Sequence, residues 1–199
     1  MKKLFAIILV FTISTALYAQ AISSDRLLPN GLRSISATGI IVDVSGGKYT
    51  FSLNAAIGED GELWGLIVGS DIFMTDNAEL LMKLDNDEII HLVADHVNVS
   101  ALTTPDHYTT YHIGGISETY VEPGREKDYY VSIYKLSEEQ IALLESHAIK
   151  KMRISLGQSY LEKASGLKKL SKWLSKSATL IRERMQKPQG IHKGITEGF

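Results

Sequence analysis

The sequence predicts a mainly β fold, a β-sandwich or a bent antiparallel sheet, with one short packed helix and a C-terminal amphipathic helical arm, α+β overall. Three observations carry this expectation. Apolar and polar residues alternate in run after run between Leu32 and Tyr134, the period of a half-buried strand. Short turns rich in Gly, Asn and Asp separate the runs, which suits antiparallel neighbours, since parallel strands need long crossovers. Beyond Gly157 the apolar period changes to that of a helix.

The strand signals come in order. Ile40, Val42 and Val44 share one face, Gly46-Gly47 offers a tight turn, and Tyr49, Phe51, Leu53 and Ala55 then alternate with Thr50, Ser52 and Asn54, which together read as a β-hairpin. Glu59-Asp60-Gly61 marks a turn before a strand over Leu63–Val68. Ala78–Leu84 and Ile89–Val99 form a second hairpin-like pair around Asp85-Asn86-Asp87. Pro105, Gly114-Gly115 and Pro123-Gly124 make Thr103–Arg125 read as loop, with one short strand near His112–Ile116. Tyr129–Tyr134 alternates again. Ser137, with Gln140 three residues on, has the arrangement of a capping box, and Ile141, Leu144 and Ala148 follow at helical spacing. Met152, Ile154 and Leu156 then alternate with Lys151, Arg153 and Ser155 as a closing strand.

Residues 158–187 read as a helical arm. At about 100° per residue, Leu167, Leu170, Leu174, Ala178, Ile181 and Met185 fall into one narrow stripe, with Lys168, Lys169, Lys172, Lys176 and Lys187 opposite. Trp173 and Leu180 share a third face beside the lysines. Gly166 interrupts the helical pattern and marks a break. The expected organisation is therefore a leader over 1–21, a β-rich domain over 22–157, the arm over 158–187 and a loose tail over 188–199.

The run Tyr129-Tyr-Val-Ser-Ile-Tyr134, then Leu136-Ser-Glu-Glu-Gln-Ile141, then Ile149-Lys-Lys-Met-Arg-Ile154 resembles the closing module of small secreted β-rich proteins from Gram-negative gut bacteria. The resemblance spans residues 129–156 and implies that a capped short helix links the last two strands of the domain. The group has no assigned activity, so the resemblance implies nothing about chemistry.

Lys2 and Lys3, the apolar run Leu4–Leu17 and the small residues Ala19 and Ala21 have the order of a secretory signal peptide, and the run is too short to span a membrane. The chain contains no cysteine. Thiol chemistry is thereby excluded, as are disulfides and the lipidated cysteine of a lipoprotein. The expected location is the periplasm or the outside of a bacterial cell. Net charge is only −2, yet residues 22–157 hold 10 Lys+Arg against 20 Asp+Glu, while residues 158–199 hold 9 against 3. Such asymmetry marks two physically different parts.

Candidate chemistry is sparse. His91 and His96, like His107 and His112, stand five apart, an odd offset that sends strand side chains to opposite faces, so neither pair makes a metal clip. Asp95 beside His96 is not how a triad assembles. Asp85-Asn86-Asp87-Glu88 has calcium-type ligands but lacks the loop that holds them, and reads as a turn. The acidic residues allow many carboxylate pairs, none with a known separation. No nucleophile elbow, zinc-protease helix, phosphate loop or dinucleotide fingerprint occurs. The C-terminal Phe199 is reminiscent of a barrel signal, but Glu197 and Lys193 stand where lipid-facing residues are required.

The expected function is an exported, non-catalytic binding or structural module of the cell envelope. The alternative is a hydrolase acting on a glycan or peptide through Asp, Glu or His on the sheet and loops. No catalytic residue, cofactor or metal ligand is assigned. The partner-binding candidates are Lys168, Lys169, Lys172, Trp173, Lys176 and Leu180 on the arm. Its leucine stripe suits docking on the parent sheet, pairing with a second copy, or lying in a membrane interface with lysines at the headgroups. Nucleic acid is not an expected partner. Tyr108, Tyr111 and Tyr120 would pack over the sheet edge or line a contact surface.

Overall fold

The computed structural model describes residues 21–58, 61–103, 107–113, 116–122 and 124–187, with backbone alone over 107–113 and 116–122. The leader reading, the Glu59-Asp60 turn and the tail beyond Lys187 lie outside the described residues, as do the side chains of Tyr108, Tyr111, Tyr120, His107 and His112.

The chain forms β1 (Ile22–Leu27), β2 (Arg33–Ala37), β3 (Ile40–Val44), β4 (Gly47–Gly58), β5 (Gly61–Ser70), β6 (Glu79–Leu84), β7 (Ile89–Thr103), β8 (His107–Ile113), β9 (Ile116–Glu122) and β10 (Glu126–Leu136). Helix α1 (Glu138–Ser146), β11 (Ile149–Leu156), β12 (Ser159–Lys163) and helix α2 (Lys168–Met185) follow. Ten strands make one antiparallel sheet in the order β1-β2-β4-β5-β10-β7-β6-β11-β12, with β3 beside β4 next to the end of β2. It is the bent sheet, not two stacked ones. It curls far enough for β12 to lie against β3, where Ser45 Oγ donates to the Glu162 carbonyl at 2.8 Å.

Alternation dictates which face turns inward. Tyr49, Phe51, Leu53 and Ala55 of β4 are all buried, as are Val42 and Val44 opposite them. The turn between β3 and β4 is centred one residue earlier than the sequence suggests, at Ser45-Gly46, where both residues have positive φ (50° and 87°), the geometry that matches strand twist. Leu80, Met82 and Leu84 of β6 and Ile90, Leu92 and Ala94 of β7 continue the core, joined by Tyr134, Leu136, Met152 and Ile154. Tyr134 and Tyr49 bring hydroxyls into this interior, and neither has a hydrogen-bond partner among the described residues. Burial pushes the Tyr134 phenol up to about 12. Because an unpaired buried hydroxyl costs about 1–3 kcal/mol, Tyr134→Phe is expected to leave stability unchanged or raise it by about 1 kcal/mol. Urea unfolding checks this, and a loss of that size would show the hydroxyl to be bonded.

The capping box forms as expected. Ser137 Oγ accepts from Gln140 N at 3.2 Å, and Gln140 Oε1 accepts from Ser137 N at 2.9 Å. Two other expectations need correction. The segment 103–125 is not a loop with one short strand. It contains a hairpin, β8 against β9, with Ile113 opposite Ile116. Residues 158–187 are not helical throughout. Gly157 takes φ +81°, Leu156 pairs with Ser159, and β12 returns along β11 before the helix begins at Lys168. The border expected between body and arm therefore falls inside a two-residue hairpin turn.

Helix α2 packs on β2, β3, β4, β11 and α1. Its predicted stripe is the buried one, with Leu167, Leu170, Leu174, Ala178 and Ile181 at most 3% exposed and Met185 half-buried. Ser171 joins this face because its hydroxyl is satisfied twice, accepting from Ile149 N at 2.8 Å and donating to Leu167 O at 3.1 Å. No helix among the described residues is long and apolar enough to cross a membrane.

Candidate functional site

The clearest candidate is a groove where the first half of α2 passes the corner between β2 and β3. Thr38, Gly39 and Ile40 form one wall, and Lys169, Lys172, Trp173 and Lys176 form the other, around a volume of about 340 Å³. Local packing fixes the corner. Built onto Gly39, a Cβ would stand 2.9 Å from Ser52 Oγ and 3.0 Å from Phe51 O, so only glycine lets the chain lie this close to β4. Trp173 anchors the helix to the same corner by donating from Nε1 to the Thr38 carbonyl at 2.8 Å.

Among the described residues, the charged side chains lining this groove are all lysines. Lys169 and Lys172 make no ion pair among the described residues. Their position also opposes the helix. The first turn of α2 contains no acidic residue, and Leu167 at its N-cap offers no side-chain hydrogen bond. Lysine beside the positive end of a helix dipole is unfavourable by roughly 0.3–1 kcal/mol. Stability alone favours acids and a Ser or Asp cap here.

The arginines of α2 behave differently. Arg182 Nη2 donates to Glu138 Oε2 at 2.7 Å, its Nε lies 3.4 Å from Glu145 Oε1, and the guanidinium sits 5.4 Å from the centre of the Trp64 ring. Trp64 Nε1 in turn donates to Glu138 Oε1 at 2.6 Å and approaches Glu62 Oε2 at 3.3 Å. Desolvation and the neighbouring Glu138 raise the Glu62 carboxyl above its ordinary range. Desolvation acts on Glu138 too, but hydrogen bonds from Arg182 and Trp64 outweigh it and hold that carboxyl low. With both oxygens of Glu138 engaged, the pair fixes α2 to α1 and β5.

Arg184 reaches the other way and pairs with Asp25 on β1, which also takes a two-pronged contact from Arg33, Nε and Nη2 at 2.9 Å. Arg33 further donates to the carbonyls of Arg184 at 3.2 Å and Lys187 at 2.8 Å, closing the C-terminal end of the helix. The basic residues of α2 are thus divided: Arg182 and Arg184 bind the body's own acids, and Lys169 and Lys172 stand on the groove.

Of the residues singled out in the sequence, the fold gathers Lys169, Lys172, Trp173 and Lys176 on one groove, and leaves Lys168 and Leu180 outside its lining. Trp173 stands beside the lysines as expected, while Leu180, one heptad on, does not line the groove. Trp173 is only 6% exposed, since its ring spans to the Thr38 wall. The histidine expectation also changes. Asp95 is an extra residue, a bulge opposite the Ile133–Tyr134 step of β10, so His91 and His96 emerge on the same outer face. They remain separate, His91 on Glu79 at 3.2 Å and His96 near Asp95 at 3.8 Å. Among the described residues, no three His, Asp or Glu converge as metal ligands. The wall of Thr38, Gly39 and Ile40 escaped the sequence reading because nothing local marks a contact across 130 residues of chain; Glu138 was visible only as a first-turn acid.

Comparison with protein-family models, with curated proteins and with solved structures gives no match.

Proposed function

We propose that the protein is an exported, non-catalytic binding module of the bacterial cell envelope, and that it contacts an anionic envelope component through the groove of Lys169, Lys172 and Lys176. The observation that carries this reading is a groove whose charged lining, among the described residues, is lysine alone, on a body whose residues 22–157 hold twice as many acids as bases. Like charges gathered against the helix dipole cost stability, and that cost is offset when an anion occupies the site. The order of charges and apolar residues in the first 21 positions supports export. The hydrolytic alternative has less to stand on, because Glu138 has both oxygens engaged, by Trp64 and Arg182, and Glu62 Oε2 faces the same Trp64 N–H.

Co-sedimentation with purified envelope tests the reading. The mature chain is expected to pellet at low salt and to be released at moderate salt. Replacing Lys169 and Lys172 by Gln is expected to weaken pelleting roughly tenfold, at about 0.7 kcal/mol per exposed, screened lysine. Pelleting that is indifferent to salt and to both substitutions would overturn it.

A further inference from the structure

We propose that the free edge of β7 takes an extended basic segment of another protein as an added strand, a contact surface separate from the lysine groove. Strand β6 runs along this side of β7 only from Ile89 to Val93. Ala94 N then donates to the Ala78 carbonyl, just before β6 begins, at 2.9 Å. On the other side β10 follows β7 as far as Thr103. Among the described residues no strand pairs with residues 96–103 on the β6 side, and β8 and β9 pair with each other alone. Alternate backbone N–H and C=O groups there are open to a further strand.

The edge is unguarded. Residues 96–103 read His-Val-Asn-Val-Ser-Ala-Leu-Thr, without a lysine, a proline or a glycine, and the bulge at Asp95 lies before them. Proteins ordinarily protect an exposed edge with charges, prolines or bulges. This chain does so elsewhere. Strand β1 at one end of the sheet carries Asp25 and Arg26, and β12 at the other carries Glu162 and Lys163 and lies against β3.

The occupant follows from the side chains that flank the edge. Ser132, Tyr130, Asp128 and Glu126 of β10 stand opposite Val97, Val99, Ala101 and Thr103. Ser132 is buried, and Val97 and Tyr130 pack against the core, so this row carries the inner face of the sheet out past the core. Its first part is apolar and uncovered. Val99 and Phe73 are each 58% exposed, and Phe73 meets Tyr130 edge to face at 5.4 Å. Its second part is acidic. Lys127 turns to Asp71 at 3.9 Å, while Asp128 and Glu126 are exposed and make no ion pair among the described residues. An added strand meets such a row with two apolar and then two basic residues on one face, at every second position. A second copy of this chain fits less well. Laid antiparallel with Val99 against its counterpart, it sets its Asp95 opposite Thr103, beside Glu126, and its residues 22–157 hold twice as many acids as bases.

The test uses the mature chain and a labelled synthetic peptide, acetyl-Thr-Lys-Thr-Lys-Thr-Val-Thr-Val-Thr-amide, with its reversed sequence for the parallel orientation. One of the two is expected to bind by fluorescence anisotropy and to slow amide exchange within residues 96–103. N-methylation of one alternate set of its amides is expected to abolish binding, and methylation of the other set to leave it, the mark of a strand paired along one edge. Glutamate for both peptide lysines, or Glu126→Gln with Asp128→Asn in the protein, is expected to weaken binding roughly tenfold. Val99→Lys is expected to weaken it by more than tenfold with the thermal midpoint unchanged. Ile41→Lys on β3, at a position 68% exposed, is expected to change neither. Failure of both peptides would overturn the inference, as would binding indifferent to Val99→Lys or to methylation of either set. A concentration-dependent dimer of the chain alone, returned to monomer by Val99→Lys, would overturn the basic segment as occupant and assign the edge to a second copy. Each of these outcomes leaves salt-released binding to envelope through Lys169 and Lys172 as a separate question.

Discussion

A chain ending at Gly157 is expected to lose its fold and not merely an appendage. Leu167, Leu170, Trp173, Leu174 and Ile181 are all at most 6% exposed, and the truncation strips them from the interior of the curled sheet. At about 1.5–3 kcal/mol for each large apolar side chain, the loss is on the order of 10 kcal/mol. The whole stability of a domain is about 5–15 kcal/mol. The truncated chain should therefore be insoluble, or bind a hydrophobic dye without a cooperative thermal transition. Within the full chain, Leu174→Ala is expected to cost about 2–5 kcal/mol by leaving a cavity, read from chemical denaturation. A soluble truncated monomer melting within a few degrees of the full chain would mean that α2 is an appendage after all.

The second large effect centres on Asp25. Hydrogen bonds from Arg33 come first in holding its carboxyl at about 2, against an ordinary 3.8, with Arg184 adding to them. Its side chain is only 10% exposed, so solvent screens the cluster little. A folded-state value below the unfolded one means that the unfolded chain takes up a proton first as the pH falls. The stabilisation, roughly 2 kcal/mol, is complete above about pH 4 and disappears as pH falls towards 2. Urea midpoints for the native chain should drop across that window beyond the general acid effect, and the extra drop should vanish in Asp25→Asn. At neutral pH, Asp25→Ala is expected to cost about 3 kcal/mol, since it leaves two guanidinium groups without their carboxylate. A cost below about 0.5 kcal/mol would show that the arginines find water instead.

Much of this architecture was legible locally. The alternation of Tyr49, Phe51, Leu53 and Ala55 needed only the period of a strand, and the stripe of Leu170, Leu174 and Ile181 only the period of a helix. Ser137 and Gln140 announced α1 through three residues of spacing. The failures have one cause, which is that short elements take their identity from distant partners. Ser159–Lys163 is five residues long, carries two charges and becomes a strand because β11 offers it an edge. The bulge at Asp95 is set by the register of β10, some 38 residues on, and it reverses which face His96 occupies. Four of the six candidate contact residues met on one groove because helical spacing had already placed the lysines together. Their opposite wall belongs to a corner that no local pattern connects to them.

The bonds from Arg33 to the carbonyls of Arg184 and Lys187 join positions 151 and 154 residues apart. Strand β2 thus finds its clamp at the end of α2, which leaves the ribosome long after it. Long closures of this kind slow the formation of native structure. A nascent chain that has not yet released α2 has no finished core to settle into, so it stays open, threadable and dependent on being kept from aggregating until that helix emerges.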